Sequence, residues 1–200
     1  MSLYKYLKRT SDIILSLATI LILLPLLLIL SVICAVDTHT SPLFFQNRVG
    51  KNGKIFKIIK FRTMKISAPS HIPARAIKDD SAFVSRFGAW LRKSGLDELP
   101  QLFNIFIGQM SFVGPRPLML SEKVLHRERS KLGVYNATPG LTGLAQINCD
   151  SINSVKEKAE LDARYTNNIT LCTDIKIIFS TFTLFFKGKH IDEHFNSPSE

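Results

Sequence analysis

Ile13–Val36 reads IILSLATILILLPLLLILSVICAV and carries no charged residue between Asp12 and Asp37. At about 1.5 Å per residue, a straight helix of this length spans the roughly 30 Å hydrocarbon core of a bilayer. A cleaved leader fits poorly, because the apolar run is too long and no small-residue cleavage site is obvious. Two features set a second arrangement beside the crossing helix. Pro25 stands mid-run, where its ring removes a backbone hydrogen bond and kinks a helix. Both flanks are basic: Lys5, Lys8 and Arg9 precede the run, and Arg48, Lys51, Lys54, Lys57, Lys60, Arg62 and Lys65 follow it. Positive flanks favour the cytoplasm, and one crossing cannot keep both ends there. A helix broken at Pro25, entering and leaving by the same face, can. Composition alone leaves the two arrangements level, since membrane helices tolerate proline.

The bulk numbers agree with membrane association. The 200 residues carry 26 Lys and Arg against 16 Asp and Glu, a net charge of +10. Such a surplus serves nucleic acid, anionic lipid or phosphorylated substrates. A mean hydropathy of +0.12 is high for so charged a chain and favours lipid. Nucleic acid is not expected, because no recognition motif accompanies the basic residues. Cys34, Cys149 and Cys172 are scattered and form no metal or disulfide pattern. They read as apolar filler in a reducing compartment.

Beyond the apolar run, Arg48–Gly53 reads as a tight turn and Ile55–Met64 as a short strand, together a small β-hairpin. Alternation puts Lys60 and Arg62 on one strand face and Ile59 and Phe61 on the other. Ser67–Asp80 is loop-like, with Pro69 and Pro73. Phe83–Lys93 is amphipathic, Gly95 is a helix stop and Pro100 suits the first turn of the next helix. Asp97 and Glu98 therefore fall between two helices, near a helix N-terminus where anions are favoured. The segment around Leu99–Ile107 is too apolar for an ordinary surface helix. Pro139–Gly143 reads as a rigid turn, Val155–Tyr165 as a helix, and Ile175–Phe186 as an apolar helix too short to cross. His190 and His194 have metal-ligand spacing but lie in a polar tail without a third ligand.

Adjacent carboxylates beside an apolar helix, and Arg116 between Pro115 and Pro117, suit phosphate chemistry. A carboxylate can be a nucleophile toward phosphorus, a divalent cation takes oxygen ligands, and arginine binds phosphate in bidentate fashion. Helix capping by Asp97 and loop bracing by Arg116 are the plainer alternatives.

The motifs resemble those of bacterial sugar transferases, in order along nearly the whole chain. They are Lys8-Arg9 with Asp12, Phe45–Gly50, Lys60–Met64, Leu96–Gln101, Ser111–Pro117, Pro139–Gln146, Leu161–Tyr165 and Asp174–Lys176. The length is similar to that of the small, monotopic polyprenyl-phosphate phosphoglycosyl transferases. The resemblance implies an α+β, predominantly helical membrane protein with interfacial helices. It divides the chain into a re-entrant helix over 1–40, broken at Pro25, a catalytic domain over 41–187 and a disordered tail over 188–200. It further implies transfer of a sugar-1-phosphate from a UDP-sugar to undecaprenyl phosphate, with release of UMP. The setting is the cytoplasmic face of the bacterial inner membrane, at the first membrane step of glycoconjugate synthesis. Asp97 is the implied nucleophile, forming an aspartyl-phosphosugar intermediate, and Glu98 the implied ligand of magnesium (Mg²⁺). Arg116, Lys60, Arg62, Arg92, Pro115 and Gln146 are the implied substrate-binding residues. An N-acetylated amino sugar is a reasonable donor, and a homo-oligomer is compatible with the sequence. Two positions depart from the family pattern: Leu24 replaces the usual serine before the proline, and Cys149-Asp150 replaces the usual Gly-Arg. A membrane-attached glycosyltransferase releasing UDP and a non-catalytic membrane adaptor are the competing readings.

Overall fold

A computed structural model describes residues 3–65 and 83–187. The loop read at Ser67–Asp80 and the tail with His190 and His194 lie outside the described residues. The chain is mostly helical. Helices α1 (Leu3–Thr38), α2 (Arg86–Lys93), α3 (Gln101–Phe106), α4 (Lys123–Lys131), α5 (Leu144–Ile147), α6 (Val155–Asn167) and α7 (Leu171–Phe186) surround two small sheets. Strands β1 (Leu43–Val49), β2 (Ile55–Phe61) and β4 (Leu118–Met119) form an antiparallel sheet in the order β2-β1-β4. Strands β3 (Ser111–Val113) and β5 (Gly140–Thr142) pair in parallel.

The break expected at Pro25 is not seen: α1 is one helix of 36 residues with Pro25 inside it. Its buried residues explain why. Asp12, Ser16 and Ile20 precede the proline, and Leu27, Leu30, Cys34 and Thr38 follow it. Spacings of three, four and seven residues put all of them on one face. That face lies on the rest of the protein along its whole length. Ile20 packs with Phe56, Ile58, Leu102 and Ile105, whereas Leu27, Leu30 and Cys34 pack with Phe61 and Leu91. Tertiary packing thus holds the helix through the hydrogen bond that proline removes. Ser31 and Thr38 also return their hydroxyls to the carbonyls of Leu27 and Cys34, which helps a helix curve. Opposite the buried face, Ile14, Leu21, Ile22, Leu28, Ile29, Val32 and Val36 are exposed.

Both ends of the apolar run are tied to the same body. Lys8 donates to Asp174 on α7, and Arg9 donates to the Ile105 and Phe106 carbonyls. These carbonyls lie at the C-terminal end of α3, where a cation is favoured. Asp12 accepts from the Phe112 amide, and Asp37, at the other end, accepts from the Ser85 hydroxyl. The charged residues flanking the apolar run are therefore its attachment points. A large exposed apolar surface marks a protein or membrane contact, and here Trp90, Phe103, Phe106, Ile107 and much of α7 add to the outer face of α1.

Three local readings differ from the structure. β2 ends at Phe61, and Met64 forms an isolated bridge with Val84. Burial along β2 does not alternate strictly: Phe56 and Ile58 are buried from one face and Phe61 from the other, because α1 and α2 cover its end. Pro139–Gly143, read as a turn, contains β5, whose parallel partner β3 lies far away in sequence. In this pair the backbones touch: a Cβ on Gly140 would lie 2.1 Å from the Gly114 nitrogen, and one on Gly114 would lie 2.3 Å from the Thr138 oxygen. Only glycine permits this approach.

Candidate active site

Asp97 and Glu98 occupy a single 3-10 turn, Leu96–Glu98, between α2 and α3. Gly95 makes the turn possible by taking a φ of 68°, the left-handed conformation that ends α2 and redirects the chain. Consecutive residues in a helical turn project in different directions, so the two carboxylates have different surroundings.

Glu98 is held by cations. Lys60 Nζ on β2 lies 2.5 Å from its Oε1, and Arg116 Nη2 donates to the same oxygen at 3.0 Å. Burial pushes this carboxyl up, but the Lys60 and Arg116 charges and their hydrogen bonds outweigh that effect. Glu98 is held well below the usual carboxylate range. Asp97 has no such bond among the described residues. Burial is the largest influence on it and the Glu98 charge adds to it; the charges of Lys60, Arg92 and Arg116 only partly compensate. Its carboxyl is pushed up to about 6.

Both carboxylates line one cleft of about 1300 Å³, together with Lys60, Arg62, Arg92, Arg116 and Gln146. Of the candidate residues, Pro115 does not line this cleft. It is buried behind it, and its carbonyl accepts from the Gly140 amide at 3.0 Å. Its part is to fix the loop that carries Arg116. Pro25 lies on α1, apart from the cleft lining. Arg62 donates to the Ser41 and Leu43 carbonyls and lies over the Phe44 ring, so it braces the segment leaving α1 while lining the cleft. Gln146 donates to the Leu141 carbonyl at 3.1 Å. Its Oε1 is buried without a hydrogen-bond partner among the described residues and is a ready acceptor for a ligand N–H or O–H.

The bacterial sugar transferase family model matches residues 3–188, nearly all of the chain. The chain belongs to the bacterial sugar transferase family. It is 36% identical over 188 residues to the UDP-glucose:undecaprenyl-phosphate glucose-1-phosphate transferase of Klebsiella pneumoniae, covering 90% of this chain and 40% of that protein. It is 36% identical over 190 residues to the exopolysaccharide production protein PSS of Rhizobium leguminosarum bv. phaseoli, covering 88% and 92%. To the UDP-N-acetylgalactosamine-undecaprenyl-phosphate N-acetylgalactosaminephosphotransferase of Aeromonas hydrophila it is 32% identical over 191 residues, covering 93% and 45%. The chain thus spans about two fifths of the first and under half of the third, and nearly all of the second.

In this member of the family the Arg116 loop has a support that sequence reading missed. Arg129 on α4 is buried, donates to Asp162 on α6 from Nε at 2.9 Å and Nη2 at 2.5 Å, and donates from Nη1 to the Arg116 carbonyl at 2.7 Å. Asp162 lies in the quoted Leu161–Tyr165 motif, but nothing in the sequence pairs it with Arg129. Arg48 was read as part of a basic flank, a turn and a family motif, with no place in the site. It lines the cleft and donates to the Pro117 carbonyl at 3.2 Å and to Gln46 Oε1 at 2.7 Å.

No group of three or more His, Cys, Asp or Glu side chains is placed to hold a metal among the described residues. The carboxylate pair still fits Mg²⁺, which takes one or two carboxylates and completes its octahedron with substrate phosphate and water. Glu98 Oε1 is occupied by Lys60 and Arg116. Glu98 Oε2 and the Asp97 carboxylate are therefore the oxygens on offer.

Proposed function

We propose that this chain transfers a sugar-1-phosphate from a UDP-sugar to undecaprenyl phosphate, releasing UMP. The observation that carries the reading is the divergence of two adjacent carboxylates in one cationic cleft. Glu98 is fixed as an anion by Lys60 and Arg116, and Asp97 is left unbonded and desolvated. A desolvated carboxylate without hydrogen bonds is the better nucleophile, and a strongly paired one is the better electrostatic anchor.

In this mechanism an Asp97 carboxylate oxygen attacks the phosphorus bearing the sugar. The bond from that phosphorus to the bridging oxygen breaks, and UMP leaves with the electron pair. A phosphate oxygen of the acceptor then attacks the same phosphorus, and the Asp97 oxygen–phosphorus bond breaks to restore the carboxylate. Arg116 and Arg92 offset the negative charge of the diphosphate during both displacements. Lys60 keeps Glu98 ionised and in place. Mg²⁺, held through Glu98, would supply further charge neutralisation at the phosphates.

The membrane topology follows from the attachments of α1. Lys8, Arg9 and Asp12 at one end and Asp37 at the other bind the same body. A helix crossing the roughly 30 Å core would carry this body into the bilayer with it, because α1 packs on the body through Ile20, Leu27, Leu30 and Cys34. We infer that α1 runs along one face of the bilayer, which is the cytoplasmic face of the inner membrane. The relatives' names support undecaprenyl phosphate as acceptor; glucose and N-acetylgalactosamine are the sugars named for two of them.

The test is intact-protein mass spectrometry of the purified protein with a UDP-sugar and Mg²⁺ and without lipid acceptor. The reading requires a mass gain equal to one sugar phosphate, absent from Asp97→Asn. A donor that is consumed to UMP without such an adduct contradicts the covalent step.

A further inference from the structure

The candidate cleft is larger than its catalytic half. Its volume of about 1300 Å³ exceeds the ~300–1,000 Å³ usual for a small-molecule site, and its two ends differ in chemistry. One end holds the carboxylate pair with Lys60, Arg92 and Arg116. The other is walled by Leu15 and Thr19 of α1 and by Ile175, Ile178, Phe182 and Phe185 of α7. Phe112 of β3 and Leu141 of β5 also line it, and those strands anchor the loop that carries Arg116.

The two helical walls are clasped at one end. Asp174 accepts from the Tyr4 hydroxyl and from Lys8 Nζ, each at 2.7 Å. Roughly two and three helical turns beyond Lys8 come Leu15 and Thr19; roughly one, two and three turns beyond Asp174 come Ile178, Phe182 and Phe185. These side chains leave apolar surface open to the cleft: Leu15 is 54% exposed, Phe182 57% and Phe185 53%. The polar groups of the clasp are already satisfied. Lys8 is neutralised by Asp174, and Asp12 accepts from the Phe112 amide. This end therefore suits hydrocarbon, whereas the arginine end suits phosphate.

We propose that the gap between α1 and α7 seats the isoprenoid chain of the lipid-phosphate acceptor, with its phosphate at the Arg116 end of the same cleft. The proposal rests on the phosphosugar-transfer reading for the identity of the acceptor. The chain enters from the lipid-facing side, between two helices whose outer faces are apolar, and the clasp closes the gap at its base. The phosphate is thereby delivered to Asp97 without leaving the interface.

The direct test places the full-length protein in nanodiscs with a polyprenyl phosphate carrying a diazirine on the isoprene units nearest the phosphate. Irradiation labels peptides containing Leu15–Thr19 and Ile175–Phe185. Excess undecaprenyl phosphate suppresses the labelling and UDP-sugars do not. Labelling spread over Ile22 and Ile29 on the outer face, and insensitive to competitor, assigns the chain to bulk lipid and overturns the proposal. Suppression by UDP-sugar alone gives the gap to the donor and overturns it as well. This readout needs no turnover, so it stands whichever nucleotide the enzyme releases. In a second arm, Thr19→Trp fills the gap. The acceptor KM rises about tenfold, equivalent to one lost apolar contact of about 1.4 kcal/mol, with the donor KM unchanged. The opposite pattern, or no change in either, contradicts the assignment.

Discussion

Lys60 and Glu98, separated by 38 residues in sequence, meet across the cleft with Nζ 2.5 Å from Oε1. The contact joins a strand to the turn that carries the carboxylates, and it makes Glu98 and its neighbour chemically unlike. Without it, two adjacent buried acids would compete for one proton. With it, the negative charge is kept on Glu98, and burial pushes the Asp97 carboxyl up to about 6.

The first prediction concerns pH. Burial raises the Asp97 carboxyl to about 6, and a nucleophilic carboxylate must be ionised. The rate of UMP formation should therefore fall as pH drops through about 6, with one proton involved. Stability should move the other way. In the folded protein the charged form is penalised above about pH 6. That penalty is relieved between there and the ordinary Asp value of about 3.9. Comparing pre-steady-state rates and denaturant midpoints of the protein and Asp97→Asn from about pH 4 to 8 tests both signs, since the variant should lose this dependence of stability.

Removing the nucleophile should separate activity from folding. Asp97→Asn preserves shape and removes a desolvated charge, so turnover should drop by about 10³-fold or more. The thermal midpoint should be unchanged or higher. Near-normal turnover would remove Asp97 from the mechanism.

Lys60→Met should release Glu98 from its strongest partner. The charged hydrogen bond is worth roughly 1.5–3 kcal/mol, and its loss should raise the Glu98 pKa and weaken Mg²⁺ dependence and turnover together. Lys60→Arg should retain part of the activity. A Lys60→Met protein with unaltered Mg²⁺ response would show that the pair is only structural.

The support beneath Arg116 is expected to be costly to break. Arg129→Ala leaves Asp162 buried without its partner and frees the Arg116 carbonyl, and removing one member of a buried pair costs about 3–5 kcal/mol. Urea denaturation should show that loss. A change below about 1 kcal/mol would contradict the buried pair as a brace.

The topology makes a prediction of its own. In a background with Cys34, Cys149 and Cys172 replaced by serine, Lys5→Cys and His39→Cys should react with an impermeant reagent from the same side of sealed inverted vesicles. Labelling from opposite sides would establish a crossing helix.

The sequence was legible where the signals are local. Gly95 and Pro100 bracket the carboxylate turn and need only their own backbone preferences, so Asp97 and Glu98 were correctly placed between two helices. The helix at Val155 was legible from its pattern, whereas the one read from Ile175 begins at Leu171, where Thr170 accepts from the Thr173 amide. At Pro25 the local cost is offset by the buried face of α1, a contact with distant residues that no window of sequence contains. Parallel pairing hid β5 for the same reason. The partners of Lys60 and Arg129 lie on other elements, so charge alone could suggest phosphate for one and nothing for the other.

The most direct test of the central claim is the identity of the nucleotide released. The protein in nanodiscs, with undecaprenyl phosphate, Mg²⁺ and a panel of UDP-sugars, should release UMP with at least one donor and form a lipid-linked diphosphate sugar. Release of UDP with a sugar joined directly to the lipid phosphate would contradict the account.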